Sequence, residues 1–283
     1  MTLLHVTSVC MPHLHLVSTF DVGRIIPSRF DLPSEYSSHV CSCLQEKSSV
    51  MPPDILVREF RHHMRVLCLP SDQYRINLLG TGDADSSLPA DKRIVQYANE
   101  NDFDFYIMGV FGASGPSAFS KGSKTDFALR NCHSNAIVIK PESVIPRKGH
   151  RVMIALDGRP FSINVVKAAI PLIGPKDTVM LFAIRLPGRP LATTIEKAKA
   201  MLEQNGIAFT SEVEEKIPGH PLYLHIRKFS EEFKATVLCI GVDGIKEFYR
   251  GQRMLGSVTD KLVMKCRTSV VLVRDGRHLP EWS

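Results

Sequence analysis

The second half of the chain alternates short, continuous apolar runs with segments in which apolar positions return every three or four residues. The apolar runs RVMIALDG (151–158) and TVMLFAI (178–184) are typical of strands buried on both faces of a sheet. The periodic segments INVVKAAIPLIG (163–174) and TTIEKAKAMLEQNG (193–206) are typical of helices, the latter ended by glycine. This alternation predicts an α/β fold built on a parallel sheet.

One pattern occurs twice along the chain. Residues 103–141 and 235–275 each contain an apolar strand, Gly-x-x-Gly, a polar loop, Gly-Ser, an amphipathic helix and a second apolar strand. Upstream of each copy lies a polar extended run followed by a helix. These upstream segments are RINLLGTG and ADKRIVQYANEN in the first copy, and FTSEVEEK and PLYLHIRKFSEEF in the second. The repeat indicates two copies of one structural unit.

The repeat also predicts where the two domains begin and end. We expect a first domain over residues 1–145 with an irregular insertion around residues 7–52, and a second domain over residues 149–283. The stretch PESVIPRKGH (141–150) carries prolines and charges and no apolar period, as a linker does.

The glycine spacing of the first copy resembles that of the universal stress protein family, which is Gly-x-x-Gly, nine residues, then Gly-Ser. Gly109, Gly112, Gly122 and Ser123 hold these places. The resemblance extends to VMIALDG and SVVLVR in the second copy, and it covers nearly the whole chain as two tandem family domains. It implies two Rossmann-like, parallel five-stranded sheets with the strand order 3-2-1-4-5.

The first copy departs from this pattern at its beginning. MTLLHV resembles the second strand of the fold, TVMLFAI, so that the first strand and its helix are missing. Alternatively, HLHLVSTFD (13–21) is a displaced first strand and Asp21 its aspartate. We favour truncation, because LLHV is followed by a long irregular insertion rather than by a helix. The gap in the sheet must then be covered by the insertion or by a changed strand pairing.

The resemblance implies an adenine nucleotide, ATP or AMP with or without Mg²⁺, bound in the second copy. In sheets of this order, ligands bind where the carboxyl ends of the first and fourth strands meet. The resemblance places Asp157 near the adenine or ribose and the main chain around Ile184 beside the base. The candidate binding residues in the second copy are Ala155, Leu156, Asp157, Ile184, Gly241, Gly244, Gly256, Ser257 and Val258. Their counterparts in the first copy are Gly109, Gly112, Gly122 and Ser123.

The glycines and the helix start have a physical reason to bind phosphate. Glycine lets main-chain N–H groups approach a phosphate without a Cβ in the way, and the positive end of a helix favours an anion. Alternatively, the glycines form only a strand-to-helix turn. Arg159 and Arg253 either lend charge to the phosphates or are solvated surface side chains.

The loop of the second copy is longer than the family pattern. Gly244 and Gly256 enclose eleven residues, IKEFYRGQRML, two more than the pattern has. The longer loop either closes over the phosphate or fills the crevice with Phe248 and Tyr249.

The composition argues against some classes of function. The net charge is +6, but the basic residues are scattered and form no run interleaved with aromatics, so the charge does not indicate nucleic-acid binding. No apolar stretch is long enough for a membrane span, and the N-terminus lacks a basic signal region, which makes the cytoplasm the expected location. Seven cysteines, an odd number, favour reduced, buried thiols. Two groups of residues could bind a metal, Cys10 with His13 and His15, or Cys41 with Cys43. Neither has a second, well-spaced pair of ligands, so we expect no metal site.

The sequence contains no recognisable catalytic motif. A Gly-x-Ser-x-Gly elbow is absent, and KGSKT lacks the upstream glycine of a P-loop. We therefore expect no catalytic residues and no enzyme, with slow ATP hydrolysis left open as a by-product. The predicted function is a nucleotide-binding, regulatory role in the stress response. The alternatives are a degenerate tandem protein that acts as an interaction scaffold without nucleotide, and a transferase or hydrolase built on the same fold.

The last strand of each copy predicts how the copies assemble. NAIVIK (135–140) and SVVLVR (269–274) are apolar edge strands, which pair with a partner rather than stay exposed. The family resemblance implies that they pair with each other in an internal pseudo-dimer. Further homo-oligomerisation stays open.

Overall fold

The structure is a computed structural model of the 283-residue chain. It describes residues 3–6, 14–17, 58, 74–76, 90–101, 103–110, 123–140, 149–242, 248–249, 252–253 and 255–274. The described strands are β1 (Leu3–Val6), β2 (Leu14–Val17), β3 (Tyr74–Ile76), β4 (Phe105–Gly109), β5 (Asn135–Ile139), β6 (Arg151–Leu156), β7 (Thr178–Arg185), β8 (Phe209–Glu215), β9 (Val237–Gly241), β10 (Phe248–Tyr249), β11 (Gln252–Arg253) and β12 (Ser269–Val273).

Six α-helices lie among the described residues, in the places where the apolar period predicts them. They are α1 (Ala90–Glu100), α2 (Ser123–Asn131), α3 (Ser162–Ala169), α4 (Leu191–Gln204), α5 (Leu222–Glu232) and α6 (Ser257–Lys265). A short 3₁₀ helix, Ile170–Leu172, follows α3 directly and has Pro171 as its second residue. Helix α4 ends in a Schellman motif, in which Gly206 adopts φ +66° and Ile207 N–H donates to the Leu202 carbonyl at 2.9 Å.

The second half, residues 149–283, has the predicted strand order. Its strands lie in the order β12-β9-β6-β7-β8, and each pair of neighbours is parallel. Counted along the chain, this is the order 3-2-1-4-5, with β6 as the first strand and β9 as the fourth. The strands are parallel because each is connected to the next by a crossover helix.

The first half, residues 1–145, differs from the prediction at its first strands. Leu3–Val6, predicted as the second strand, lies directly beside β4 in the first-strand position and runs antiparallel to it. Strand β2, from the segment considered as a displaced first strand, occupies the second position and is antiparallel to β1 and parallel to β3. The predicted gap is thus closed by a changed pairing. A hairpin can do this because antiparallel strands need only a short connection, and it covers the edge of β4.

The two halves form one ten-stranded sheet through their last strands. Strands β5 and β12 pair antiparallel, with Ile137 opposite Val271 at the centre of the register. This is the internal pairing that was predicted for the two apolar edge strands, and it is confirmed. At the ends of the pair, Arg274 N–H donates to Asn135 Oδ1 at 2.9 Å and Lys140 N–H donates to Ser269 Oγ at 3.4 Å.

A reciprocal pair of cations reinforces this contact. Lys140, which follows β5 and is 3% exposed, donates its ammonium to the carbonyl of Val263 in the last turn of α6. Arg274, which follows β12, donates its guanidinium to the carbonyl of Leu129 in the last turn of α2. Each cation therefore caps the C-terminal turn of a helix in the other half, where carbonyls lack helical partners and the dipole is negative.

The hydrophobic core forms one layer on each face of the sheet. Helices α1, α2, α5 and α6 cover one face, where Ala128, Leu129, Leu262 and Val263 are fully buried. Helices α3 and α4 cover the other face over β6 and β7. The first layer runs continuously across the junction of the halves, so the two copies share one core.

The described cysteines are buried and reduced, as predicted. Cys132, Cys239 and Cys266 are free thiols. Burial raises the pKa of Cys132 and of Cys239 to about 12 and that of Cys266 to about 11. These thiols therefore stay protonated and unreactive at neutral pH. Cys10, Cys41 and Cys43, and the metal interpretation attached to them, lie outside the described residues.

We predict that Lys140→Met destabilises the protein. The substitution keeps the length of the side chain but leaves the Val263 carbonyl without its charged donor. We expect the free energy of unfolding, measured by urea titration, to fall by about 1–3 kcal/mol. The control is Lys197→Met on the exposed face of α4, where a change within about 0.5 kcal/mol is expected. Equal effects of the two substitutions would contradict the capping role.

We also predict a pH dependence from His150. Its Nδ1 lies 3.0 Å from Thr236 Oγ1, and burial lowers its pKa from 6.5, opposed in part by Asp177. Because the unfolded chain takes up the proton first, the free energy of unfolding falls as the pH drops below about 6.5. His150→Gln should remove this part of the slope in thermal melts at several pH values, whereas His220→Gln, at an exposed position, should retain it.

Candidate functional site

The strand register brings the candidate residues of the second half to one edge of the sheet. Ile154 of β6 lies opposite Cys239 of β9, so the same register carried on by two residues places Leu156 beside Gly241. On the other side, Leu156 lies opposite Ala183 of β7. Asp157, which follows β6, therefore lies at the carboxyl edge between the ends of β7 and β9. This is the position at which parallel sheets of this order bind ligands.

The carboxylate of Asp157 is held by four donors. Its Oδ1 accepts from the Ser162 hydroxyl at 2.6 Å and from the main-chain N–H of Arg159 at 3.1 Å. Its Oδ2 accepts from Arg159 Nε at 3.0 Å and from Arg189 Nη1 at 2.5 Å. Two guanidinium groups thus surround one carboxylate, which leaves this end of the crevice with a net positive charge.

Arg189 reaches Asp157 from a tight turn that follows β7. Its N–H donates to the carbonyl of Leu186 at 3.3 Å, with Pro187 second in the turn and Gly188 third at φ +73°. Proline followed by a glycine of positive φ is typical of a type II turn. The turn lies tightly against the Asp157 loop, since a Cβ on Gly158 would come within 3.3 Å of Cβ of Arg189.

The start of α6 supplies the opposite end of the crevice. Gly256 is exposed and adopts φ +75°, and its carbonyl accepts the first helical hydrogen bond, from Asp260 N–H at 2.9 Å. The N–H groups of Ser257 and Val258 precede that bond and have no acceptor within the helix. No side chain caps this helix start in the described structure. The combination of free donors and the positive dipole end favours an anion.

Gly241 has a packing role. It does not have a positive φ, but a Cβ built on it would lie 2.9 Å from Cε1 of Phe161 and 3.3 Å from Cγ2 of Val165. Only glycine allows the end of β9 to approach the start of α3 this closely. Three further candidates pack in the core or against it: Leu156 is 3% exposed, Ile184 is 2% exposed, and Ala155 contacts the buried cluster.

The first-half candidates are placed only in part. Gly109 ends β4, and its carbonyl accepts from the hydroxyl of Thr125 at 2.8 Å, which fixes the start of α2 to the strand. Ser123 is the first residue of α2. Gly112, Gly122 and, in the second half, Gly244 lie outside the described residues.

The long loop of the second half extends toward the first half. Strands β10 and β11 pair as a small hairpin, and β11 contacts helix α2. Helix α2 also approaches α6, because Arg130 Nη2 lies 3.8 Å from Asp260 Oδ1. Within α2, Arg130 Nε lies 2.8 Å from Asp126 Oδ2. Two interpretations concern side chains that the structure does not describe. They are the charge that Arg253 would lend to the phosphates and the filling of the crevice by Phe248 and Tyr249.

The described part of the chain contains no group of three or more histidine, cysteine, aspartate or glutamate residues arranged to hold a metal ion. Nor does any helix described there have the length and hydropathy to cross a membrane.

Solved structures with this architecture include several universal stress proteins. A protein of unknown function from Pseudomonas aeruginosa PAO1 is 12% identical and matches at a TM-score of 0.60, covering 94% of this chain and 93% of its own. A protein from P. aeruginosa UCBPP-PA14, provisionally assigned as a universal stress protein, gives the same identity and score at 94% coverage of both chains. A universal stress protein from Archaeoglobus fulgidus DSM 4304 is 17% identical, with a TM-score of 0.54 and 83% coverage of both chains.

The chain thus has the universal stress protein fold, as the sequence resemblance predicted. The first two matches extend over nearly the full length of both chains, so they include both halves. No protein-family model matches the sequence, and no curated protein does.

We predict that Gly241→Ala destabilises the protein through the contact with Phe161. The added Cβ forces the start of α3 away from β9, and we expect a loss of about 1–3 kcal/mol in the free energy of unfolding. The same substitution in a Phe161→Leu background should cost less, because the smaller side chain leaves room. Additive effects of the two substitutions in urea titrations would show that the contact does not explain the glycine.

Proposed function

We propose that the chain is a universal stress protein whose second half binds an adenine nucleotide, ATP or AMP, and that it acts in regulation rather than catalysis. The triphosphate or monophosphate lies against the start of α6, and the nucleoside lies toward Asp157. The sequence resemblance supplies the ligand class, and the fold supports the family assignment.

The single observation that carries the proposal is the open first turn of α6. Gly256 opens the helix at φ +75°, and no described atom lies within 4 Å of a Cβ placed there. Gly256 and Ser257 are exposed and Val258 is half-buried, so the first turn of α6 begins at the protein surface. Arg159 and Arg189 add positive charge at the same edge, which favours an anionic ligand over a neutral one.

The scaffold function is the second candidate, and one observation favours it. Four protein donors already bond to the carboxylate of Asp157. A ligand that needs this carboxylate has to compete with them. In that case the two halves form a rigid sheet that presents surfaces to other proteins without nucleotide.

We predict that Ser257→Asp weakens ATP binding without destabilising the protein. A carboxylate at the start of α6 interacts favourably with the helix dipole, but it repels a phosphate at the same amides. We expect the dissociation constant for ATP, measured by calorimetry on the full chain, to rise by at least about tenfold. The melting temperature should stay the same or rise.

The matched control is Ser123→Asp at the start of α2, the equivalent position in the first half. Because the proposed site lies in the second half, this substitution should leave ATP binding unchanged. Nucleotide released on heat denaturation of the purified protein gives the stoichiometry, and one per chain is expected. Two per chain would place a second site in the first half. Neither released nucleotide nor a heat of binding for ATP or AMP would exclude nucleotide binding and leave the scaffold function.

A further inference from the structure

The carboxylate of Asp157 is bonded to four protein donors, and its side chain is 32% exposed. A carboxylate offers about four lone-pair positions, and the donors come from Ser162, Arg159 and Arg189. A hydroxyl or amino group of a ligand therefore competes with these donors for Asp157. The donors differ in how readily they can leave.

Two of the three residues belong to the same local loop as Asp157. Ser162 is 4% exposed at the start of α3, and it also accepts from the main-chain N–H of Asp157 at 3.3 Å. Arg159 bonds partly through its main chain, which the loop itself fixes. The Ser162 hydroxyl and the Arg159 main-chain N–H hold the shape of the Asp157 loop, so a ligand cannot displace them without rearranging the first turn of α3. The Arg159 side chain, which is 35% exposed and bonds to Oδ2 through Nε at 3.0 Å, is a local donor that can leave.

Arg189 is different, because it comes from a separate connection 32 residues away. Its side chain is 27% exposed, and Nη1 bonds to both the carboxylate and the main-chain carbonyl of Asp157. The type II turn over residues 186–189 positions the guanidinium beside the Asp157 carboxylate. Gly188, the third residue of this turn, has φ +73°. The donor is thus held in place by the turn, and it can leave if the turn moves.

From these contacts we infer that Arg189 is an internal competitor for Asp157, and that it lowers the affinity of the nucleotide site. The inference rests on the proposed function, since it describes the same crevice. Arg189 occupies the position of the ligand's nucleoside donor, and binding requires the turn at 186–189 to release the carboxylate. Conditions that loosen this turn increase affinity, so the turn regulates the site.

The direction of the effect distinguishes this role from a phosphate-binding role. If Arg189 held the phosphates, its removal would weaken ATP binding. As a competitor, its removal frees Asp157 for the nucleoside, and in this role the gain exceeds the loss of one positive charge near the phosphates. Arg189→Ala should then tighten ATP binding by about three- to tenfold. Calorimetric titration of ATP into the full-length protein measures the change. Circular dichroism melts establish that the variant is folded, and Arg189→Gln, which retains the side-chain length, takes its place if it is not.

A second variant tests the turn without altering any charge. Gly188→Ala keeps the guanidinium but strains a residue of positive φ, with no described atom within 4 Å of the new Cβ. We expect it to tighten ATP binding by about two- to fivefold, because the strained turn holds Arg189 less firmly. The matched control is Gly206→Ala, which has φ +66°, equally open surroundings and no contact with the crevice.

The charge control is Arg185→Ala. Arg185 ends the same strand, is 56% exposed and pairs with Glu215 at 2.6 Å, so its removal alters the local charge without freeing Asp157. Tighter binding in the two test variants and in neither control supports the inference. Loss of a positive charge alone should leave ATP binding unchanged or weaken it. Tighter binding in Arg185→Ala as well would show that the gain does not come from freeing Asp157, and it would overturn the inference.

The remaining outcomes separate the inference from the proposed function. If the wild-type protein binds ATP and Arg189→Ala binds it equally or more weakly, the inference is wrong and the function stands. If the wild-type protein does not bind ATP but Arg189→Ala does, the competitor role is supported and the wild-type chain is not an ATP-binding protein as proposed. If neither binds ATP, both fail.

Discussion

The antiparallel contact between β5 and β12 joins the halves, and the other long-range features of the architecture follow from it. It aligns the two copies so that Lys140 and Arg274 reach equivalent helix ends across the junction. The same alignment merges the core layers beneath α2 and α6. It also brings the β10–β11 hairpin of one half against a helix of the other. Because both halves belong to one chain, the two sides of this contact are free to differ.

The two halves differ in the direction of the strand that occupies the first position. In the second half, the first strand runs parallel to its neighbours and leads directly into Asp157. In the first half, the strand in that position runs the other way, so its carboxyl end points to the opposite edge of the sheet. Among the described residues, the first half thus shares the sheet and the core, but its first-position strand does not lead to the carboxyl edge of β4.

The sequence predicted the second half well because each element carries a strong local signal. Apolar runs such as TVMLFAI and helices with a clear apolar stripe fix both the type and the order of the elements. The pairing of β1 could not be predicted, since a run of four residues, three of them apolar, does not encode the direction of its neighbour. Arg189 was missed for a different reason: its role depends on a turn that positions it, and the Leu-Pro-Gly-Arg sequence was the available signal. Lys140 and Arg274 resemble ordinary cations at the end of a strand, and only the tertiary structure shows what they cap.

The sheet junction also has a consequence for synthesis of the chain. Ile137 meets Val271, so β5 leaves the ribosome long before its partner strand is made. At ordinary translation rates this delay is on the order of ten seconds. During that time the edge of β5 that β12 covers in the finished fold is unpaired, and an exposed apolar edge of this kind pairs with other chains. Chains that stop before residue 269 retain this edge permanently, so incomplete products of this protein are expected to aggregate where the full-length chain does not.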